Sequence, residues 1–319
     1  MGPGGLTVGE RHVATTGTDA GNDCSSSTRP CRTIQRAHDQ SAFSNPPEIM
    51  FIQPGTYTES VDLTRTVDLR GVGTTSRDTI IVGSIRVGRS TTIQNLALRP
   101  SASASGPGAH GIDVTRATAG EYIFEFVDIQ GFPGHGINVS GVGSGSYLNI
   151  DNAYLAQNLD GVHIEGGGKV NLVSVRAQGN RGDGIQFSAI SSTSGDGIVG
   201  QRLFLLQNGE AGLQVEAMSG VSAQVQNSCV LANGSQAGVT LELISNSPIR
   251  IGSSNIEGNR SGGASIASFN VMPDMTGNFW GAASGPSGAG PGGGDSVTAG
   301  LLFNQWSGSR LNVTTSGCD

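Results

Sequence analysis

A glycine followed by an apolar–polar–apolar triplet recurs seven times along this chain. The phrases are Gly111-Ile-Asp-Val, Gly136-Ile-Asn-Val, Gly161-Val-His-Ile, Gly184-Ile-Gln-Phe, Gly212-Leu-Gln-Val, Gly238-Val-Thr-Leu and Gly263-Ala-Ser-Ile. The steps between glycines are 25, 25, 23, 28, 26 and 25 residues. A fixed period of this size marks a repeat architecture, in which no single unit buries its own apolar face and neighbours must stack. The triplet alternates as a strand with one buried side, and so do the segments Tyr147-Leu-Asn-Ile150, Val170-Asn-Leu-Val173 and Ser222-Ala-Gln-Val225. Asn158, Asn180, Asn208, Asn233 and Asn259 each stand three to five residues before a repeat glycine. Asparagine suits a tight turn, and identical turns in stacked coils allow an amide ladder. No amphipathic helix longer than two turns fits between these signals.

Two or three short strands per period, separated by Gly/Asn turns, describe one coil of a parallel β-helix. The fold class is therefore all-β: a single parallel solenoid of about ten coils spaced about 4.8 Å apart. Stacking puts Ile112, Ile137, Val162, Ile185, Leu213 and Val239 in one interior column, and Val114, Val139, Ile164, Phe187, Val215 and Leu241 in the next. Open ends would expose strand edges, so both need covers. Residues 1–47 are expected to form an N-terminal segment with a capping helix over 32–43, started by Thr33. The solenoid is expected to occupy 48–276, and 277–319 to form a C-terminal cap. Trp280 and Trp306, the only tryptophans, fall in that last segment as cap packing would require.

The charge balance limits partners. The chain of 319 residues has a formal net charge of −7, and Lys169 is its only lysine. Nucleic acid is excluded by the lack of clustered cations. A direct polyanion is disfavoured unless a cation bridges, which leaves Ca2+ open although no cofactor is predicted. No apolar run is long enough to span a membrane. The start has no charged and apolar leader pattern, so either a leader has been removed or the protein is not exported. The four cysteines favour an oxidising compartment: Cys24 and Cys31 bracket a short loop, and Cys229 with Cys318 would be the second pair among three connectivities. A secreted or cell-surface monomer is expected.

Several segments resemble the pectin lyase-like, right-handed parallel β-helix repeat family. They are Thr18-Asp-Ala-Gly-Asn-Asp-Cys24, Pro30-Cys-Arg-Thr-Ile-Gln35, Pro54-Gly-Thr-Tyr-Thr-Glu59, Arg70-Gly-Val-Gly73 and Asn278-Phe-Trp-Gly281 with Ser284-Gly-Pro286. The resemblance covers nearly the whole chain and implies the fold. It implies no single activity, because this fold hosts lyases, hydrolases, epimerases and adhesins. Gly134-His-Gly-Ile137 is similar to the Gly-His-Gly phrase of polygalacturonases, but their Asp-Asp dipeptide and Arg-x-Lys are missing, as is the Asp-Pro-His-Asp of alginate epimerases.

In register, the outward residues form columns. One strand column runs Asp113, Asn138, His163, Gln186, Gln214, Thr240, Ser265; the next includes Ser140, Glu165, Ser188, Glu216 and Glu242. The turn column before the glycines runs His110, His135, Asp160, Asp183, Ala211, Ala237, Gly262. The densest titratable set is thus His135, Asp160, His163, Glu165 and Asp183, on three successive coils. His135, Asp160, His163 and Asp183 are the candidate catalytic residues. Asp160 and Asp183 could share a proton, as a glycosidase pair does, or a histidine could act as base beside a uronate carboxylate. Asp113, Asn138, Glu165 and Gln186 are the candidate ligand-binding residues. An aspartate before glycine is equally a turn residue, and Arg-Gly-Asp at 181–183 fits the repeat better than an adhesion motif. The favoured function is engagement of a glycan or another surface without catalysis. The alternatives are a polysaccharide lyase, hydrolase or epimerase, and a structural stalk or sensor domain of a larger secreted protein.

Overall fold

Three ladders of parallel strands build the chain in the computed structural model, which describes residues 9–43, 46–106, 108–115, 119–143, 145–189, 196–217, 220–243, 247–268, 270–313 and 318. Each coil gives one strand to each ladder; in the coil from 147 to 166 these are Tyr147–Asp151, Tyr154–Ala156 and Val162–Gly166. The glycine phrases all lie in the third ladder. Ile112, Ile137, Val162, Ile185, Leu213 and Val239 pair in that order and are fully buried. The second interior column, Val114 to Leu241, is buried with it. The third ladder runs from Val61–Leu63 to Ala264–Ile266 through nine strands, so the solenoid makes about eight turns. The count is lower than ten because the stretches outside this ladder are spent on covers and loops.

The turns are sharper than the sequence suggested. Between the first and second ladders a single residue takes the left-handed conformation: Asn95, Phe126, Asn152, Ser174, Arg202, Asn227 and Ser253, with φ between 51 and 58°. Between the second and third ladders, Gln157, Gly179, Gln207, Ala232 and Gly258 do the same. The asparagine that follows each of these is not the left-handed residue. It points inward, and Asn158, Asn180, Asn208, Asn233 and Asn259 form a buried ladder in which each backbone N–H donates to the next Oδ1 at 3.0–3.2 Å. Asp295 ends the ladder by accepting from the Asn259 N–H and Nδ2.

That ladder explains Gly136, Gly161, Gly184, Gly212 and Gly238, each of which abuts one of its asparagines. Gly184 has no left-handed backbone; it is glycine because a Cβ there would lie 2.6 Å from the Gly212 carbonyl oxygen and 2.8 Å from Asn208 Nδ2. We expect Gly184→Ala to cost about 1–3 kcal/mol, the range for overpacking a rigid interior. Urea unfolding should show a lower midpoint; an unchanged midpoint would mean that the coils can part at this point.

Both ends are covered. The strand Glu10–Val13, not foreseen from the sequence, pairs with Glu48–Ile52. The helix Ile34–Gln40 packs against these two strands and Val61–Leu63. Thr33 accepts from the Arg36 N–H, and the Glu59 carboxylate accepts from the N–H groups of Ile34 and Gln35. At the other end Trp280 is fully buried and Trp306 packs on the same core. Both disulfides pair as expected, Cys24 with Cys31 and Cys229 with Cys318. The second ties the tail over Phe204 and Leu206, where Val313 packs. No helix among the described residues is long and apolar enough to cross a membrane.

Candidate functional site

The histidines of successive coils stack because the solenoid repeats them at one position. The rings of His110 and His135 lie 5.0 Å apart and those of His135 and His163 4.2 Å apart, within 5° and 12° of parallel. His163 belongs to the strand column rather than the turn column, so the two columns share one face. Asp160 Oδ2 lies 2.8 Å from His135 Nδ1 and 3.5 Å from His163 Nδ1. The first contact is a close ion-pair approach, off the line of a well-formed hydrogen bond. Around this centre, His163 Nδ1 meets Gln186 Oε1 at 2.7 Å, His163 Nε2 lies 3.4 Å from Glu165, and Asn138 Nδ2 donates to Asp113 at 2.8 Å.

The structure thus brings together seven of the eight expected site residues as one polar strip. The eighth, Asp183, does something else. Asp160 Oδ1 accepts from the Asp183 N–H, and Asp183 Oδ1 in turn accepts from the Ala211 N–H, both at 2.7 Å. Both contacts run from a backbone N–H to a carboxylate oxygen. Asp183 is also only 3% exposed, so the Arg-Gly-Asp at 181–183 does not display its acid. Three of the four Asn-x-Ser/Thr sequons, at Asn138, Asn233 and Asn259, are likewise buried in the ladders.

The two aspartates titrate in opposite directions. Burial opposes the charge on Asp160, but its contacts with His135 and His163 outweigh burial and hold the carboxyl well below its ordinary value. Burial pushes Asp183 up to about 7, and the Asp160 charge adds to this against the Ala211 hydrogen bond. Burial lowers His163, yet Asp160 more than offsets it and the net shift is upward. Burial and the neighbouring His135 lower His110, whose Nδ1 accepts from the His135 N–H. His110 stands in the turn column beside His135, and its ring joins the stack.

The sign of the Asp183 shift gives a stability prediction. Its folded pKa is raised, so the native state binds the proton more tightly and loses stability as pH climbs from the ordinary value of 3.8 through about 7. An asparagine keeps the acceptor for Ala211 without the charge. We expect Asp183→Asn to raise the melting temperature relative to wild type at pH 8, with the gain shrinking towards pH 4. A gain that is independent of pH would contradict the buried-charge explanation.

His135, Asp160 and His163 also offer three ligand atoms within 4.8 Å of one another. Two imidazoles and one carboxylate suit a transition metal rather than Ca2+, which takes oxygen ligands. Nearly parallel rings direct their lone pairs side by side rather than to a common point, so the arrangement is better matched to sharing protons than to enclosing an ion.

No family model matches this chain, and no curated protein sequence matches it. Among solved structures, it is similar to a mannuronan C-5 epimerase A-module from Azotobacter vinelandii, with TM-score 0.53, 15% identity, 86% of this chain and 91% of that chain covered. It is also similar to the pectate lyase Pel9A, with TM-score 0.54, 18% identity, 99% of this chain and 79% of that chain covered. At these identities the likeness establishes the fold, which is that of right-handed parallel β-helix proteins.

Proposed function

We propose that this chain is a polysaccharide-engaging β-helix protein and that the His135–Asp160–His163 cluster is an acid–base site on its third ladder. The observation that carries the proposal is one buried carboxylate facing the Nδ1 atoms of two stacked histidines. A carboxylate in that position orients the imidazole through its Nδ1 side and leaves Nε2 to act as the base. His135 takes that role. His163, with its raised pKa, is the cation beside it. Such a pair suits a carbon acid next to a uronate carboxylate. Nε2 of His135 takes the proton from that carbon. The electron pair then either expels the neighbouring glycosidic oxygen, protonated by His163, or takes up a proton from solvent on the opposite face. The first course is an elimination and the second an epimerisation. Asn138, Gln186, Asp113 and Glu165 extend the strip on which the sugar chain would lie.

Two similar structures support a polysaccharide substrate, since one is named for mannuronan epimerisation and the other for pectate lysis. The two disulfides support an oxidising compartment, hence secretion or display at a cell surface. The test is incubation with polygalacturonate, alginate and a neutral glucan. Unsaturated ends are read by absorbance, reducing ends by titration and inverted uronates by proton NMR. Unsaturated or inverted products are expected from an acidic polymer. Turnover that survives His163→Ala combined with Asp160→Asn would remove the site assignment. Saturable binding without product would instead establish the non-catalytic reading, which is favoured by the use of Asp160 Oδ1 as a backbone acceptor.

A further inference from the structure

We infer that the outer face of the first ladder is a second binding site, a trough for an extended, carboxylate-bearing polysaccharide running along the solenoid axis. Two depressions of about 370 and 360 Å³ lie on this face and share Val199 as a common wall. Together they run from Tyr147 to Arg250 over five coils. Register explains the hollow. Outward positions on successive strands stack as Tyr147, Lys169, Gly197, Ser222 in one column and Asn171, Val199, Gln224, Arg250 in the next. Gly197 and Ser222 remove side-chain bulk beside the large rim residues.

The lining has a definite chemistry. Among the described lining residues the ionisable groups are Lys169, Arg250 and the Tyr147 phenol, with no carboxylate. This occurs in a chain with 25 acidic and 18 basic residues. Among the described residues Lys169, the only lysine, makes no ion pair, and Arg250 pairs with Asp274 alone, at 3.7 Å. The two cations are three coil steps apart, about 14 Å along the axis at the usual strand spacing, within reach of separate carboxylates on one extended chain. Gln201, Gln224 and Gln226 between them and Asn171 beside Lys169 offer amide donors and acceptors, Tyr147 an exposed ring at one end and Val199 an apolar wall. The low cation count of the whole chain disfavours a polyanion in general, and the trough is where that count is locally reversed. It lies in a different sheet from the histidine stack.

Polygalacturonate oligomers and their fully methyl-esterified, neutral counterparts are the probes, with binding read by calorimetry at low salt. The charged oligomer is expected to bind at least tenfold more tightly than the neutral one. Lys169→Gln with Arg250→Gln should remove that preference, and Val199→Arg should partly restore binding of the charged form. His163→Ala should leave this component unchanged, which separates the trough from the histidine site. Equal affinity for the two probes, no binding of the charged oligomer at millimolar concentration, or a preference untouched by the double substitution would each overturn the proposal. Circular dichroism of the double variant establishes that the surface changes leave the fold intact.

Discussion

Replacing Asp160 by asparagine should lower turnover of the acidic polymer by about 10²–10⁴-fold, the range expected when a positioned acid–base group is lost. The side chain keeps its size and can still accept from the Asp183 N–H, so the coil should stay folded. The change is in charge: His135 and His163 lose the anion that orients them. A purely structural Asp160 would leave the histidine titrations almost where they were. We therefore expect NMR to show the raised His163 pKa falling back towards its ordinary 6.5 in the variant. A titration curve that does not move would remove the acid–base reading even if activity fell.

The same pair predicts a pH window for stability. Asp160 has a depressed folded pKa, so its contribution is present above the ordinary 3.8 and is lost as pH falls below it. His163 has a raised folded pKa, so its contribution is fully present below 6.5 and is lost as pH climbs through the folded value. Both are in force together only in mildly acidic solution. The stability difference between wild type and Asp160→Asn should peak there and shrink on either side.

Asn208→Ala should be the most damaging single substitution for the fold, at about 3–5 kcal/mol from several buried groups left unpaired together. The Asn208 side chain is 2% exposed. Its Oδ1 accepts from the Asn180 N–H and Nδ2, and its Nδ2 donates to the Ala177 carbonyl and to Asn233 Oδ1. No water reaches these groups easily once the side chain is gone. Coils couple mainly to their neighbours, so the damage should be local. Hydrogen exchange should accelerate first at the Asn180 amide and then in the coils on either side. Uniform acceleration along the solenoid, or a cost below about 1 kcal/mol, would show that the ladder follows from the fold rather than supports it.

Much of this molecule was legible in one dimension. In a parallel in-register stack, a residue's neighbours are those one period earlier and later, so the seven glycine phrases are enough to write out the columns. That is why Asp113, Asn138, His163 and Gln186 fall on one line by their positions in the period. Periodicity gave less at the turns. It could not show that Gln157 or Ala232 would take the left-handed conformation and free the following asparagine to face inward. Strands such as Tyr147–Ile150 alternate visibly, but without a glycine phrase to set their register the trough from Tyr147 to Arg250 did not stand out.

Asp160 and Asp183 show where the sequence stops. They occupy the same place in successive repeats, and the sequence alone determined that they would stack, together with the coil and its columns, while the structure brought the turn and strand histidines onto one face. Tertiary structure decided their chemistry. Asp160 has two imidazoles within 3.5 Å and is held ionised, whereas Asp183 is followed in the stack by Ala211 and is pushed up to about 7. The physical reason is that stacking order depends on the period alone, while a proton's affinity depends on desolvation and on distances of a few ångströms, which only the packed coils define.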